Sequence, residues 1–319
     1  MVSLRPHAQE WQDLAMSSQK SLRDDASDLY RPYEEEIRDW TELQGAINRF
    51  SDAYALEKFV WRGQADARWP LTSSLYRVVA QELRRLPTED DLVEAERRLL
   101  HMARSEWRLD DIPALQLFAR MQHVGVPTRL IDATLNPLIA TWFAVADEKH
   151  HQMDGRLLAF TVKSEIQLNS KWNTNTPRWH PKARYPRPSE WGTGLGRRVW
   201  QPPALHSRIP AQSAAFLLDG VPVDGPPHAL TRLHPDESAT WPAEELREVA
   251  SIPVRFARIR PESRPMSKGL VFTYRITAAA KQQIRHQLEQ RFGYSFATIY
   301  ADMEGLAEYV KRRPRLLVR

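Results

Sequence analysis

Strand-like segments separated by long, non-repeating stretches most limit what this chain can fold into. RLLAFTV (156–162), AAFLL (214–218) and LVFTYRI (270–276) are apolar and rich in residues that favour β-structure. Helical patterns occur around them, but helices and strands do not alternate regularly along the chain. This arrangement predicts an α+β fold rather than a doubly wound parallel sheet.

Capping residues predict where several helices begin. Thr88, followed three residues later by Asp91, has the spacing of a capping box. Asn136 and Pro137 are suited to an N-cap and a first turn, and they separate the strand-like TRLIDAT from the apolar LIATWFAVA. Thr277 precedes another helical pattern. We therefore expect a helix to begin after each of these caps.

The residue types that are absent exclude several kinds of chemistry. The 319 residues include no cysteine, which excludes disulfides, thiolate metal sites and cysteine nucleophiles. The sequence also lacks a P-loop, a dinucleotide-binding glycine fingerprint, a His-Glu-x-x-His helix and a Gly-x-Ser-x-Gly elbow. The Lys149-His150-His151 cluster lacks the carboxylate and the spacing of a metal site, so we expect no bound metal.

The hydropathy pattern predicts a cytoplasmic protein. MVSLRPHAQEWQDLAMSSQK, at the start, has no apolar stretch of signal-peptide length, and no later apolar stretch is long enough to span a membrane. We therefore expect neither export nor a membrane partner.

The chain divides by composition into three parts. Residues 1–38 are predicted to form a peripheral lead-in, because their start is polar and weakly periodic. Residues 39–310 are predicted to form one domain, which contains proline-rich inserted loops at 169–210 and 219–265. Tryptophans within these loops argue against simple disorder. Residues 311–319 form a basic tail.

Positive charge is concentrated in a tryptophan-rich segment, residues 163–208. It contains nine Lys and Arg residues against two Glu, in a chain whose net charge is +5. Trp191, Trp200 and the nearby arginines could stack the bases of a single-stranded nucleic acid and pair with its phosphates. The equal alternative is a solvated surface on which the tryptophans fix a long loop.

Two blocks of sequence resemble the signatures of the FRG-domain family. FVWRGQADARWPLTSSLYR (59–77) contains Arg62 and Gly63 of the family's Phe-Arg-Gly motif, with Trp61 in place of Phe. ARMQHVGVPTRLIDATLNPLIATWFAVAD (119–147) contains Gln-His, Gly-x-Pro-Thr-Arg, Asp-x-Thr, Asn-Pro and Phe-Ala in the family's order. The resemblance implies a ligand-binding or active site in these two blocks.

Two weaker matches extend the resemblance. SRIPAQSAAF (207–216) and IYADMEGLAEYV (299–310) are similar to later blocks of the family. With them, the resemblance runs from about Asp39 to Val310.

A more distant resemblance is to the ADP-ribosyltransferases, which hold NAD across a small split sheet. The resemblance implies a small split mixed β-sheet with flanking helices, carrying a proline- and tryptophan-rich inserted region. Trp61, Arg62 and Gly63 resemble the first strand of those enzymes, and DATLNPLIATWFA (132–144) resembles their second motif, a strand followed by a helix. Gln212 would stand near the third motif, where active members usually carry Glu.

The resemblance implies roles for the polar residues. Arg62 and Gly63 suit contact with a pyrophosphate or ribose, because a guanidinium binds in a bidentate way and glycine lets the backbone approach closely. Asp132 and Gln212 are candidates to stabilise an oxocarbenium-like transition state. Because Gln cannot act as a general base, three alternatives are open: Asp132, Glu304 or another carboxylate supplies that function, transfer is inefficient, or Gln212 does not align with the third motif.

Six more residues are candidate ligand contacts: Gln64, Gln122, His123, Thr128, Arg129 and Thr134. Three of them also have an ordinary structural explanation. His123 could bond a backbone carbonyl at a helix end, Arg129 could be a surface anchor, and Thr134 could be a cap. Arg62 itself could form a buried structural bridge to Asp132.

We therefore expect an ADP-ribosyltransferase-like enzyme that binds NAD or a related nucleotide and modifies a macromolecule, either nucleic acid or protein. The family resemblance implies a toxin or phage-defence effector, for which an antitoxin is a candidate partner. The rival hypothesis, slightly favoured by Gln212, is a non-catalytic module that recognises a nucleotide or nucleic acid in the same pocket. A metal-dependent nuclease is less favoured, because the sequence has no clear set of spaced carboxylates.

Overall fold

The computed structural model describes residues 21–162, 165–166, 198–223, 241–258 and 270–318. Most of the basic tryptophan-rich segment, including Trp191, lies outside these ranges, as do large parts of both predicted inserted loops.

Helices and strands are mixed along the described chain. The helices are α1 (Ser27–Tyr30), α2 (Trp40–Ala53), α3 (Ser74–Leu83), α4 (Glu89–Ser105), α5 (Ala114–His123), α6 (Pro137–Val145), α7 (Arg208–Ala211), α8 (Ala243–Arg247), α9 (Ala278–Phe292), α10 (Phe296–Ile299) and α11 (Met303–Arg312). The strands are β1 (Glu34–Ile37), β2 (Phe59–Gln64), β3 (Ile131–Thr134), β4 (Gly155–Thr161), β5 (Glu165–Ile166), β6 (Arg198–Trp200), β7 (Ala214–Leu218), β8 (Arg255–Phe256) and β9 (Leu270–Ile276). Two short 3₁₀ helices are also present, at Glu148–His150 and Pro314–Leu317.

The described strands form one mixed sheet. Its order is β1-β9-β4-β2-β3-β7-β6-β5, with β8 paired to β9. β1 and β8 run parallel to β9, and β5 runs parallel to β6, whereas the other neighbours are antiparallel. The predicted α+β class, with a mixed sheet and flanking helices, is therefore confirmed. The sheet has nine described strands and is larger than the small sheet that the resemblance implies.

Apolar cores cover both faces of the sheet. Leu158 and Phe160 of β4 pack in one core, and Leu157 and Ala159 pack in the other. All residues of β4 are buried. This two-sided burial explains why the strand has a continuous apolar sequence rather than an alternating one.

The predicted caps are mostly confirmed. Thr88 and Asp91 form a full capping box at the start of α4. The Asn136 side chain accepts hydrogen bonds from Leu138 N and Ile139 N, at 2.9 and 3.4 Å, with Pro137 in the first turn of α6. Thr277 occupies the N-cap position of α9, but its side chain makes no capping hydrogen bond within the described chain.

Residues before Asp39 contribute to the fold, although composition predicts a peripheral lead-in there. β1 pairs with β9 from Glu34 to Ile37. Leu29 and Tyr30 of α1 are fully buried in the core that also contains Phe160. The described part of the N-terminal region therefore supplies one edge of the sheet.

The packing of α6 on β2 depends on Gly63. A Cβ atom at this position would lie 1.8 Å from Ala140 O and 2.8 Å from Ala144 N. Only a residue without a side chain allows this approach of strand and helix. Gly63 thereby sets the position of α6 beside the cavity described next.

Candidate functional site

A cavity of about 360 Å³ opens where β2 and β3 separate. Its apolar wall is aromatic and includes Trp61, Trp69, Trp142, Phe143, Phe296 and Tyr300. Its polar groups include Arg62, Gln122, His123, Asp132, Arg208 and Gln212. The volume lies in the range of small-molecule sites, roughly 300–1,000 Å³.

The gap exists because β2 and β3 are joined at a single point. Trp61 pairs with Thr134, which is one registered pair within these two strands. On its other side, β2 pairs with β4 along its whole length, from Phe59 to Gln64. β2 and β3, which carry the two sequence signatures, are therefore neighbours with an opening between them that a ligand could enter.

Arg62 bridges this gap with its side chain. Its Nη1 donates a hydrogen bond to the main-chain oxygen of Asp132 at 2.6 Å. The contact therefore holds the strand by its backbone and leaves the Asp132 carboxylate for other partners. Nε of Arg62 is buried and finds no hydrogen-bond partner in the described chain. Burial lowers the pKa of Arg62, and a bound anion would offset that desolvation.

Gln122 orients the Asp132 carboxylate. Its Nε2 lies 3.2 and 3.3 Å from the two Asp132 oxygens, and its Oε1 accepts a 2.7 Å hydrogen bond from Thr128 Oγ1. Asp132 is itself exposed on the cavity side of β3. An exposed carboxylate held by an amide can accept a hydrogen bond from a ligand hydroxyl.

Gln212 reaches the cavity but is also held by main-chain groups. The side-chain Nε2 of Gln212 donates to Ile299 O at 3.0 Å. The main-chain oxygen of Gln212 accepts a 2.6 Å hydrogen bond from Thr134 Oγ1. Thr134 Oγ1 in turn accepts from Asn136 N at 3.0 Å. Gln212 therefore ties α7, β3 and α10 together at the cavity wall.

Histidines and carboxylates cluster at one end of the cavity. His123 Nε2 lies 2.7 Å from Glu304 Oε2 and 3.4 Å from Asp302 Oδ2. The imidazole of His206 stacks on that of His123, with ring centroids 3.7 Å apart. Arg208 Nε lies 2.6 Å from Asp302 Oδ2. Glu304, a predicted catalytic residue, reaches the site through His123 and does not line the cavity.

The electrostatics of this cluster follow from its neighbours. Burial lowers the pKa of His206, and the charges of His123 and Arg208 lower it further. Burial acts to raise the pKa of Asp302, but hydrogen bonds from Arg208 and Gly305 outweigh it and hold the pKa below its ordinary value. His206 is therefore favoured as a neutral imidazole and Asp302 as a carboxylate.

Three predicted ligand contacts do not line the cavity. Gln64 is buried and donates weakly to the carbonyls of Trp69 and Pro70. Thr128 is buried behind Gln122 and positions it. Arg129 is 3 % exposed and pairs with Glu96, so it lies outside the cavity and is not a surface anchor.

Sequence reasoning did not single out several residues that line the cavity. Trp69, His206, Arg208 and Tyr300 line the cavity. His206 immediately precedes the SRIPAQSAAF block, and Arg208 and Tyr300 lie within the two weaker matching blocks. Those blocks indicated the right regions but not which of their side chains face the site.

The comparisons with known proteins support the sequence resemblance over part of the chain. Residues 57–153 match the FRG domain family. The matched segment contains β2, β3 and the two stronger signature blocks. Neither the curated proteins nor the solved structures contain a match. Among the described helices, each is too short or too polar to cross a membrane.

Proposed function

We propose that the cavity binds NAD or a related nucleotide and that the protein transfers its ADP-ribose part to a macromolecule. The observation that carries this proposal is the position of Arg62, Asp132 and an aromatic wall around the opening between β2 and β3. The gap in the sheet supports the ADP-ribosyltransferase-like interpretation of the fold, because those enzymes hold NAD across a divided sheet.

The aromatic wall suits the base of such a ligand. Phe296 stacks on Tyr300 with centroids 4.5 Å apart, and Tyr300 approaches Trp142 and Phe143 at 6.1 Å each. A nicotinamide or adenine ring packs favourably on surfaces of this kind.

Arg62 suits the phosphates or the ribose. Its buried Nε has an unused donor within the described chain, and Arg62 lines the cavity. A phosphate oxygen would both satisfy this donor and compensate the buried charge.

Asp132 suits the transfer. In this step the C–N bond between nicotinamide and ribose breaks, and its electron pair leaves with nicotinamide. An acceptor oxygen or nitrogen of the macromolecule bonds to the ribose carbon and loses a proton to a base. The Asp132 carboxylate, which Gln122 orients, would stabilise the cationic ribose and is the candidate to accept the proton.

One observation supports a second candidate function. The Gln212 amide is engaged with Ile299 O, as a structural residue would be. A Gln in this position supports a module that recognises a nucleotide without cleaving it.

The test is incubation of the purified protein with radiolabelled NAD, alone and with DNA, RNA or cell lysate. Nicotinamide release and transfer of label are followed for the wild type, Arg62→Ala and the control Arg98→Ala, whose side chain is exposed on α4. We expect release that is lost in Arg62→Ala and retained in Arg98→Ala, and the labelled macromolecule identifies the acceptor. Binding without release would support the recognition module, and absence of binding would contradict both functions.

A further inference from the structure

The histidine–carboxylate cluster at the end of the cavity has a property that the proposed transfer does not use. One ligand atom each from His123, His206 and Asp302 lie within 4.8 Å of one another. These residues come from the end of α5, the segment before α7 and the N-cap of α11. Residues that are far apart in sequence thus converge on one point.

The two imidazoles stack on each other beside Asp302. Their planes are inclined by 28° at a centroid separation of 3.7 Å. Nδ1 of His206 is buried and has no hydrogen-bond partner in the described chain. A buried nitrogen without a partner is costly, and a metal ion would satisfy it.

Asp302 keeps one lone pair for a further partner. Its Oδ1 accepts from Arg208 Nη2 and Gly305 N, both at 2.7 Å, and its Oδ2 lies 2.6 Å from Arg208 Nε. A carboxylate oxygen accepts at about two positions. Oδ2 is buried, makes no hydrogen bond of good geometry within the described chain and lies 3.4 Å from His123 Nε2. Arg208 would then be an outer partner that fixes the orientation of the carboxylate.

We propose that His123, His206 and Asp302 bind a divalent transition-metal ion. Glu304 Oε2 lies 2.7 Å from His123 Nε2, so this carboxylate stands beside the three ligands. Two imidazoles with carboxylates suit Zn²⁺ and its first-row neighbours, whereas Mg²⁺ and Ca²⁺ prefer oxygen ligands alone.

The site would be open toward the cavity. His123 and His206 both line the cavity, whereas Asp302 and Glu304 approach from α11 behind them. Catalytic zinc sites combine three protein ligands with an open position. A metal ion here could therefore contact a phosphate or hydroxyl of a molecule bound in the cavity.

The sequence alone predicts no metal, because the histidines that lie close together in it, as in Lys149-His150-His151, lack the spacing of a metal site. Because the ligands lie at positions 123, 206 and 302, their spacing follows no linear metal motif.

The test is titration of untagged, chelator-treated protein with Co²⁺ followed by visible absorption, and with Zn²⁺ by calorimetry, both without nucleotide. We expect one equivalent of either ion to bind, with the cobalt bands of a nitrogen- and oxygen-ligated site. Loss of an outer-sphere partner weakens metal binding by about 10–100-fold, so His206→Ala should weaken it by at least about 100-fold. His286→Ala is the control, because His286 is exposed on α9.

Melting curves of the metal-free variants check their folding, and His123→Asn provides a second variant if His206→Ala unfolds. Failure of Co²⁺ and Zn²⁺ to bind, or equal affinities of His206→Ala and His286→Ala, would overturn the metal site. Since these titrations contain no nucleotide, they are independent of whether the cavity binds NAD.

Discussion

Arg129 and Glu96 form a two-bond ion pair in the interior of the protein. Arg129 Nε lies 2.8 Å from Glu96 Oε1, and Nη2 lies 3.0 Å from Oε2. The side chains are 3 % and 1 % exposed. Arg129 Nη1 also binds Glu89 at 2.6 Å. The pair therefore joins α4 to the segment that leads into β3, and it supports the cavity from behind.

Removing Arg129 should cause a large loss of stability. Arg129→Met leaves Glu96 and Glu89 without their buried cation, and we expect the free energy of unfolding to fall by about 3–5 kcal/mol. Urea denaturation measures the change. The surface control Arg98→Ala should shift it by less than about 1 kcal/mol. The affinity of correctly folded Arg129→Met for NAD should be unchanged, so a weaker affinity at unchanged stability would return Arg129 to the binding site.

Gly63 should tolerate no side chain. Gly63→Ala places a methyl group 1.8 Å from Ala140 O, and neither the strand nor α6 can move without disturbing the core. We expect a loss of more than about 3 kcal/mol, or failure to fold. Gly45→Ala is the matched control, since its Cβ meets only the flexible end of Arg49 at 3.2 Å. In mid-helix that change should stabilise by about 0.5–1 kcal/mol. Comparable melting temperatures for the two variants would contradict the close packing of α6 on β2.

Asp91 should make part of the free energy of unfolding depend on pH. Hydrogen bonds from Arg85 above all, and from Thr88, lower the pKa of Asp91 to about 2. Because the folded-state pKa lies below the unfolded value of 3.8, the contribution is present above about pH 4 and is lost as the pH falls toward 2. Asp91→Asn should lower the free energy of unfolding by about 1 kcal/mol at pH 6. Urea titrations at several pH values should then show a smaller difference between variant and wild type near pH 2.

Gln212→Glu should expose the structural role of the Gln212 amide. A carboxylate cannot donate to Ile299 O, so we expect a loss of about 1–3 kcal/mol at neutral pH. Protonation restores the donor in the folded state, so the variant should recover stability relative to wild type as the pH falls toward 4. Gln212→Leu is the control that loses the donor without adding charge, and its deficit should not depend on pH. Increased nicotinamide release by Gln212→Glu would show that transfer requires the acid at this position.

Local patterns predicted the parts of the fold that depend on local chemistry. The strands at 156–162, 214–218 and 270–276 were predicted to within about one residue, and Thr88 and Asn136 cap the expected helices. Strand burial and capping depend on residues near in sequence, so periodicity and residue type reveal them.

The site was only partly predictable. Arg62, His123, Asp132 and Gln212 line one cavity, as the signature blocks suggested. Arg129 lies in the same block but faces α4, because a sequence motif does not specify which partner a buried guanidinium finds. His206 could not be identified either, since its neighbours His123 and Asp302 are distant in sequence.

The sheet order also determines which parts of the chain must stay together for the sheet to form. The matched residues 57–153 include β2 and β3, but β4, which pairs with β2, begins at Gly155, and β7, which pairs with β3, begins at Ala214. Expressed alone, the matched segment would leave two strand edges unpaired and prone to aggregation. A gene rearrangement that moves this segment must therefore also move β4 and β7 if the sheet is to form. Insertions or deletions between these strands leave both pairing partners in place.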